Sequence, residues 1–379
     1  MAHGSSTLEQ RLLDRGISRR EFLKFCSIIT ATLALPATFT PKVAKAMNTA
    51  ARIPVVWLEF QDCAGNTESF IRASAPTAAD IVLEQISLDY HETLMAPAGA
   101  QAEKSLEETV ANYKGKYIAI VEGAIPTRDD GIYCVINGRT ALEIARNVCG
   151  NALATIAVGA CAWDGGWPAA GLNPTGAVGV GDAVPGLKNL IAMPGCPVNA
   201  VNLTAVLVHF LTFNALPATD EQGRPLFAYG QLIHNNCERR GHFDSGRFVE
   251  TWGDEGHRKG YCLYKMGCKG PQTYSNCPSV GWNENTNWPI GVGHGCVGCM
   301  SEHFWDNTVP FYNRLPNIEG FGVEASADRI GLTVVGTIAA ASGVHAVASA
   351  IRARVSPIAA HSQAESIAAK DTLHEDKDQ

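Results

Sequence analysis

Six of the chain's twelve cysteines fall between residues 237 and 299, in a stretch rich in Gly, Asn and Trp with almost no apolar periodicity. Such a segment cannot bury a conventional core, so its order must come from cross-links or bound metal. The six divide into two sets. His234-Asn235-Asn236-Cys237 puts an imidazole and a thiol one turn apart, and Cys262 and Cys268, astride Met266-Gly267, complete three cysteines and one histidine. The other set is Cys277 with Cys296-Val297-Gly298-Cys299. A histidine in place of a thiolate removes negative charge from an iron–sulfur cluster and raises its potential. One zinc would fit the first set, but three thiolates alone do not close a structural zinc site. Disulfides are the third reading, and they make His234 an ordinary loop residue.

Between Pro54 and Leu216, short apolar runs alternate with helical periodicity, the pattern of an α/β doubly wound parallel sheet. The runs predict strands at 55–58, 117–121, 155–158 and 190–193 and helices near 78–86, 140–148 and 198–213, with Tyr90 on a further strand. Three of these strands run into a cysteine, giving Cys63, Cys161 and Cys196, each beside a glycine (Gly65, Gly159, Gly195). Strands of a parallel sheet end on one edge, so the three thiols should converge there. The glycines allow close backbone approach and supply N–H donors to an anionic centre. Cys134 and Cys149 read as buried free thiols. A polar linker, residues 217–223, separates this part from the cysteine-rich one.

The ends of the chain suggest where it works. Ser18-Arg19-Arg20-Glu21-Phe22-Leu23-Lys24 precedes an apolar run from Phe25 to Phe39 and then Ala44-Lys45-Ala46, the pattern of a twin-arginine export signal over residues 1–46. Cleavage there would discard Cys26 and leave an odd number of cysteines. That route carries proteins already folded, so metal-bound thiolates can persist where disulfides are otherwise the default. Ile330 to Ile351 has 22 residues and no charge, about 33 Å as a helix, enough to span a bilayer. Arg352 and Arg354 then place the tail, 352–379, in the cytoplasm and the bulk of the chain outside. A buried amphipathic helix is the alternative. A net charge of −7 argues against nucleic acid as a partner. Gly176 to Gly186 is glycine-rich but lacks the lysine of a phosphate loop.

Taken together, these stretches resemble the small subunit of membrane-bound uptake nickel-iron hydrogenases along nearly the whole chain. Besides the twin-arginine segment, the matching runs are Val56-Trp57-Leu58-Glu59-Phe60-Gln61-Asp62-Cys63, Val121-Glu122-Gly123-Ala124-Ile125-Pro126, Gly159-Ala160-Cys161, Asn173-Pro174-Thr175-Gly176 and Pro194-Gly195-Cys196-Pro197. Further on they are Ile233-His234-Asn235-Asn236-Cys237, Gly267-Cys268-Lys269-Gly270-Pro271, Trp288-Pro289 and Gly293-His294-Gly295-Cys296-Val297-Gly298-Cys299.

The resemblance implies a flavodoxin-like domain over 50–225 holding a proximal 4Fe-4S cluster on Cys63, Cys161 and Cys196. It implies an irregular cluster domain over 226–320, then a transmembrane helix over 330–351. Within the second domain His234, Cys237, Cys262 and Cys268 match a distal 4Fe-4S set. Cys277, Cys296 and Cys299 match a medial 3Fe-4S set, with Pro289 where a fourth cysteine would otherwise stand. His345 resembles the axial ligand shared with the haem b of a membrane cytochrome, and quinone would then be the final acceptor. The catalytic nickel-iron site belongs to a large subunit, since Cys296 and Cys299 form the only C-x-x-C pair here. A periplasmic-side, inner-membrane assembly of several heterodimers follows.

One departure stands out. Members of the family usually carry C-x-x-C after the first strand, whereas here the sequence is Cys63-Ala64-Gly65-Asn66. The fourth proximal ligand then falls to Asn66, to a carboxylate (Asp62, Glu68 or Asp164) or to water, and a neutral amide oxygen is a weak donor for iron. Ala64-Gly65 and Gly165-Gly166 stand where the extra cysteines of the oxygen-tolerant subgroup are expected. Glu68 and Glu122, beside the cluster-bearing strand ends, serve either proton movement or hydrogen bonding where the two subunits meet. Two other readings are an iron–sulfur subunit of a different membrane oxidoreductase and an exported protein held by zinc or disulfides.

Overall fold

Alternation along the first strand decides how the sheet is buried. In β1 (Ile53–Glu59) Val55 and Trp57 face one apolar cluster while Val56 and Leu58 face another, so both sides are covered. The computed structural model describes residues 18–49, 52–73, 77–78, 81–283, 285–315 and 332–352. The chain divides into two units, Met1–Arg240 with Phe248–Leu315, and Gly241–Arg247 with Pro316–Gln379.

The first unit opens with helices α1 (Arg19–Thr32) and α2 (Thr40–Thr49). After β1 come α3 (Gly65–Ile71), β2 (Ile86–His91), α4 (Ala100–Asn112), β3 (Ile118–Glu122), α5 (Ala141–Asn151), β4 (Ala154–Val158), α6 (Gly159–Asp164), β5 (Leu190–Met193) and α7 (Ala200–Phe213). The five strands are parallel in the order β2-β1-β3-β4-β5, the flavodoxin-like winding. All four expected strands and the one around Tyr90 are present. Register pairs Glu59 with Glu122, Glu122 with Val158 and Val158 with Met193. The strands therefore end level, and the cysteine-bearing loops leave from one edge.

Helix α5 begins where Thr140 and Glu143 form a reciprocal capping box, and α7 where the Asn199 side chain accepts from the Val201 N–H. Leu203, Val206 and Leu207 of α7 pack with Trp57 and Phe70 on one face of the sheet, while Leu106, Ala145 and Val148 cover the other. Helix α4 escapes the sequence pattern because it buries little beyond Glu103, Leu106 and Thr109. The helix expected near 78–86 is, in its described part, one π-helical turn, Ile81–Gln85, running straight into β2.

Helices α1 and α2, the segment read as an export signal, pack on the sheet domain. Phe22, Phe25, Cys26, Ile29, Val43 and Met47 cluster with Ala205 and Val208 of α7. Lys42 Nζ lies 4.5 Å from the centre of the Phe213 ring.

From Leu226 to Leu315 no described helix exceeds five residues. The small core there includes Cys268, Cys277 and Cys296 beside Tyr229, Ile233, Leu263 and Trp288. The thiols are thus part of the packing, as the lack of periodicity requires. Bonds to the sheet edge hold this region: Tyr229 Oη donates to Pro194 O at 2.8 Å, and Asn199 Nδ2 to Gly281 O at 2.8 Å. In the second unit, Leu332–Arg352 is a 21-residue apolar helix, about 32 Å long and exposed throughout.

Candidate iron–sulfur relay

At the sheet edge, Cys63, Cys161 and Cys196 come together. Cys161 is pushed up to about 12 by burial, and then by the neighbouring Cys196 and Cys63. Burial and the Cys63 thiol likewise raise Cys196. Gly166, at φ +46°, makes room for this centre, since a Cβ there would lie 2.8 Å from Cys161 Sγ. Cys63 and Cys196 are exposed on this chain.

His234, Cys237, Cys262 and Cys268 line a single pocket together with Ile233, Leu263 and Ile290. Short 3₁₀ turns, Ile233–Asn236 and Tyr264–Met266, present these side chains. Cys277, Cys296 and Cys299 form the third group. Cys299 is pushed up to about 12 by burial and then by Cys277, while Cys296 is driven well above its ordinary value by burial, Cys268 and Cys299.

The groups adjoin one another in succession. Cys299 also interacts with Cys196 of the sheet-edge set, and Cys296 with Cys268 of the pocket set. Cys277–Cys296–Cys299 therefore sits between the other two.

Several donors point at sulfur. Arg239 N approaches Cys237 Sγ, Gly270 N approaches Cys268 Sγ and Gly298 N approaches Cys296 Sγ, each at 3.4 Å, and Ser275 Oγ donates to Cys277 Sγ at 3.2 Å. Such bonds stabilise thiolate charge and tune a cluster's potential.

The spacing tests what these donors fit. A tetrahedral ion with Zn–S near 2.3 Å holds its sulfurs about 3.8 Å apart. Among the described residues, only Glu59, Asp62 and Glu122 bring three ligand atoms within 4.8 Å of one another, so the cysteine groups are more open than one zinc requires. All twelve cysteines are free. Soft, open thiol sets, two of them supplied with N–H or O–H donors, fit polynuclear iron–sulfur centres better than single ions or disulfides.

Two buried cations were not among the residues singled out from sequence. Arg239 is 8% exposed and Lys269 3%, and charged side chains are rarely so buried unless compensated. Burial raises Cys237, Cys262 and Cys268, the Arg239 charge opposes that rise at each of them, and Lys269 lies against both Cys268 and Cys296. The signal was their place one or two residues after a ligand-type cysteine.

The carboxylates at the sheet edge have separate duties. Glu122 is fully buried and accepts from Trp57 Nε1 (3.1 Å), Asn66 N (2.8 Å), Asn66 Nδ2 (3.1 Å), Thr67 N (3.0 Å) and Thr67 Oγ1 (2.7 Å). It anchors the start of α3 from the neighbouring strand. Glu68 is an exposed partner of Arg72 at 2.7 Å. Asp164 accepts from Gly166 N at 2.9 Å and His303 N at 2.5 Å. Burial, then Glu122, pushes Asp62 up to about 7. His345 lies on the apolar helix of the second unit.

Comparison with known proteins gives a consistent result. Residues 229–312 match the family formed by the C-terminal part of the NiFe/NiFeSe hydrogenase small subunit, and 63–210 match "NADH ubiquinone oxidoreductase, 20 Kd subunit". The uptake hydrogenase small subunit of Azotobacter vinelandii is 50% identical over 338 residues, covering 89% of this chain and 94% of that protein. The hydrogenase-1 small chain of Escherichia coli K12 is 47% identical over 352 residues, 93% of this chain and 94% of that one. Among solved structures, a chain of the Desulfomicrobium baculatum [NiFeSe]-hydrogenase superposes with a TM-score of 0.66 at 35% identity, covering 70% of this chain and all of that one.

Proposed function

The chain belongs to the small subunits of nickel-iron hydrogenases, the electron-transfer partners of a large subunit, and from that membership we propose how its own residues serve the relay. Cys63, Cys161 and Cys196 hold a proximal 4Fe-4S cluster. Cys277, Cys296 and Cys299 hold a medial 3Fe-4S cluster, and His234, Cys237, Cys262 and Cys268 a distal 4Fe-4S cluster. When bound, these groups supply one-electron transfer without movement of atoms. The residues bind them, exclude water and set the local field. The observation that carries this reading is the succession of three open thiol groups, adjoining through Cys196–Cys299 and Cys296–Cys268.

Each group does this differently. At the sheet edge two thiols remain exposed on a surface that the large subunit would cover. In the middle, Cys277 and Cys296 are buried, so water is kept from the central step. At the far end the imidazole of His234 replaces a thiolate and lowers the negative charge.

The export and membrane assignments support one topology. Residues 1–46 direct twin-arginine export, the helix at Leu332–Arg352 is the single anchor in the inner membrane, and the bulk of the chain lies on the periplasmic side. His345 shares a haem b with a membrane cytochrome that passes electrons to quinone, and the heterodimers assemble into a higher oligomer. Replacing His345 should leave dye-linked dihydrogen oxidation intact and uncouple quinone reduction.

Iron, sulfide and nickel analysis of the purified complex tests the whole reading. Iron and sulfide accompanied by nickel are expected. A colourless complex, or zinc in place of iron, would overturn it.

A further inference from the structure

Asn66 stands where the family usually has a cysteine ligand, and its side chain is already committed. Its Oδ1 accepts from the Val198 N–H at 2.8 Å, and its Nδ2 donates to Glu122 Oε1 at 3.1 Å. The residue is only 7% exposed. The tip of its amide meets Gly159 edge-on, where a Cβ would lie 2.5 Å from Nδ2 and 2.6 Å from Oδ1, and Gly159 has φ +82°.

These partners have one thing in common. Asn66 is three residues after Cys63, Gly159 two before Cys161, and Val198 two after Cys196. One amide thus touches all three loops that carry the sheet-edge thiols. An amide oxygen is a poor iron ligand, and turning it toward iron would leave the Val198 N–H without its partner.

Two of the other side-chain candidates are occupied as well. Both oxygens of Asp164 accept backbone N–H groups, and Glu68 is exposed and paired with Arg72. The third, Asp62, is engaged through one oxygen: Oδ1 accepts from Ala64 N at 3.1 Å, Oδ2 is buried without a hydrogen-bond partner, and the carboxylate groups with Glu59 and Glu122.

Resting on the proximal-cluster reading above, the geometry points to Asn66 as a positioning strut rather than a ligand, with a solvent oxygen filling the fourth iron position. Asn66 fixes the mutual spacing of Cys63, Cys161 and Cys196 and leaves one iron open to water or hydroxide.

The test is electron-nuclear double resonance on the reduced heterodimer in ¹⁷O-enriched water. The wild-type proximal signal should show strong ¹⁷O coupling, and Asn66→Ala and Asp62→Asn should keep it. Asn66→Ala should also shift the proximal potential and lower the melting midpoint, because the loops lose their tie. Absence of ¹⁷O coupling in the wild type overturns the inference, with no variant needed. Coupling that appears only in Asn66→Ala would make Asn66 the ligand, and coupling that appears only in Asp62→Asn would make it Asp62. A complex with no proximal signal at all would instead sink the cluster assignment on which the inference rests.

Discussion

The side-chain amides of Asn202 and Asn276 exchange two hydrogen bonds, each 2.9 Å, joining α7 to the residue just before Cys277. Asn202 is fully buried, so the pair sits between the sheet domain and the medial thiols, where spacing matters most. Asn276→Ala leaves the Asn202 amide buried and unsatisfied, at a cost of about 1–3 kcal/mol. The melting midpoint of the complex should fall accordingly. The double replacement by alanine should cost less than the two single changes added together, because no orphaned amide remains. Strict additivity would show that the pair is not coupled.

Lys269 should set the potential of two centres at once. Its ammonium is buried, donates to Asn313 O, and lies against Cys268 and Cys296, which belong to neighbouring thiol sets. A nearby positive charge stabilises the reduced, more negative state. Lys269→Gln should therefore lower both the medial and the distal potentials, by on the order of tens of millivolts at an effective dielectric near 20. Redox titration followed by paramagnetic resonance reads both. A shift confined to one centre would contradict the shared position.

The strands and their cysteines were legible because both signals are local: an apolar run of four or five residues, then a glycine and a thiol. Register then made the three strand ends level, which no single run reveals. Asn66 was legible as a departure from the family, but its role was not. Its partners Glu122 and Val198 lie 56 and 132 residues away, and only the fold brings them together. Lys269 was visible in a quoted motif, yet burial is a tertiary property and gives no sign in sequence. Helix α4 was missed because its buried face is narrow and partly polar.

Acid should weaken the sheet edge through His91. This ring is fully buried, 5.0 Å from the Trp57 ring, and burial pushes its pKa down from 6.5 to about 4. At neutral pH it is uncharged, so its 3.7 Å approach to Glu59 Oε2 is no ion pair there. The unfolded chain takes up a proton near pH 6.5 while the folded chain resists until about 4, so stability held above pH 6.5 is lost as pH falls through that window. At about 1.4 kcal/mol per pK unit the loss is roughly 3 kcal/mol. Melting midpoints between pH 7 and 5 should fall more steeply for the wild type than for His91→Gln. Equal slopes would mean that His91 does not titrate in this way.

The docked N-terminal helices should protect the proposed cleavage site. Ala44 is 9% exposed and lies inside α2, between fully buried Val43 and Met47 at 3%. A peptidase needs an extended, accessible chain, so cutting after Ala46 requires α1 and α2 to leave α7 first. Arg19 and Arg20, by contrast, are exposed in the first turn of α1 and stay readable while docked. Each large apolar side chain buried in this contact contributes roughly 1.5–3 kcal/mol, and proteolysis through an opened state follows the population of that state. Val208→Asp, on the α7 side, leaves the signal sequence unchanged but weakens its seat. It should speed cleavage of the purified full-length chain by signal peptidase at least tenfold. If the unaltered precursor is cut as fast as the isolated 1–49 peptide, the docking does not protect the site.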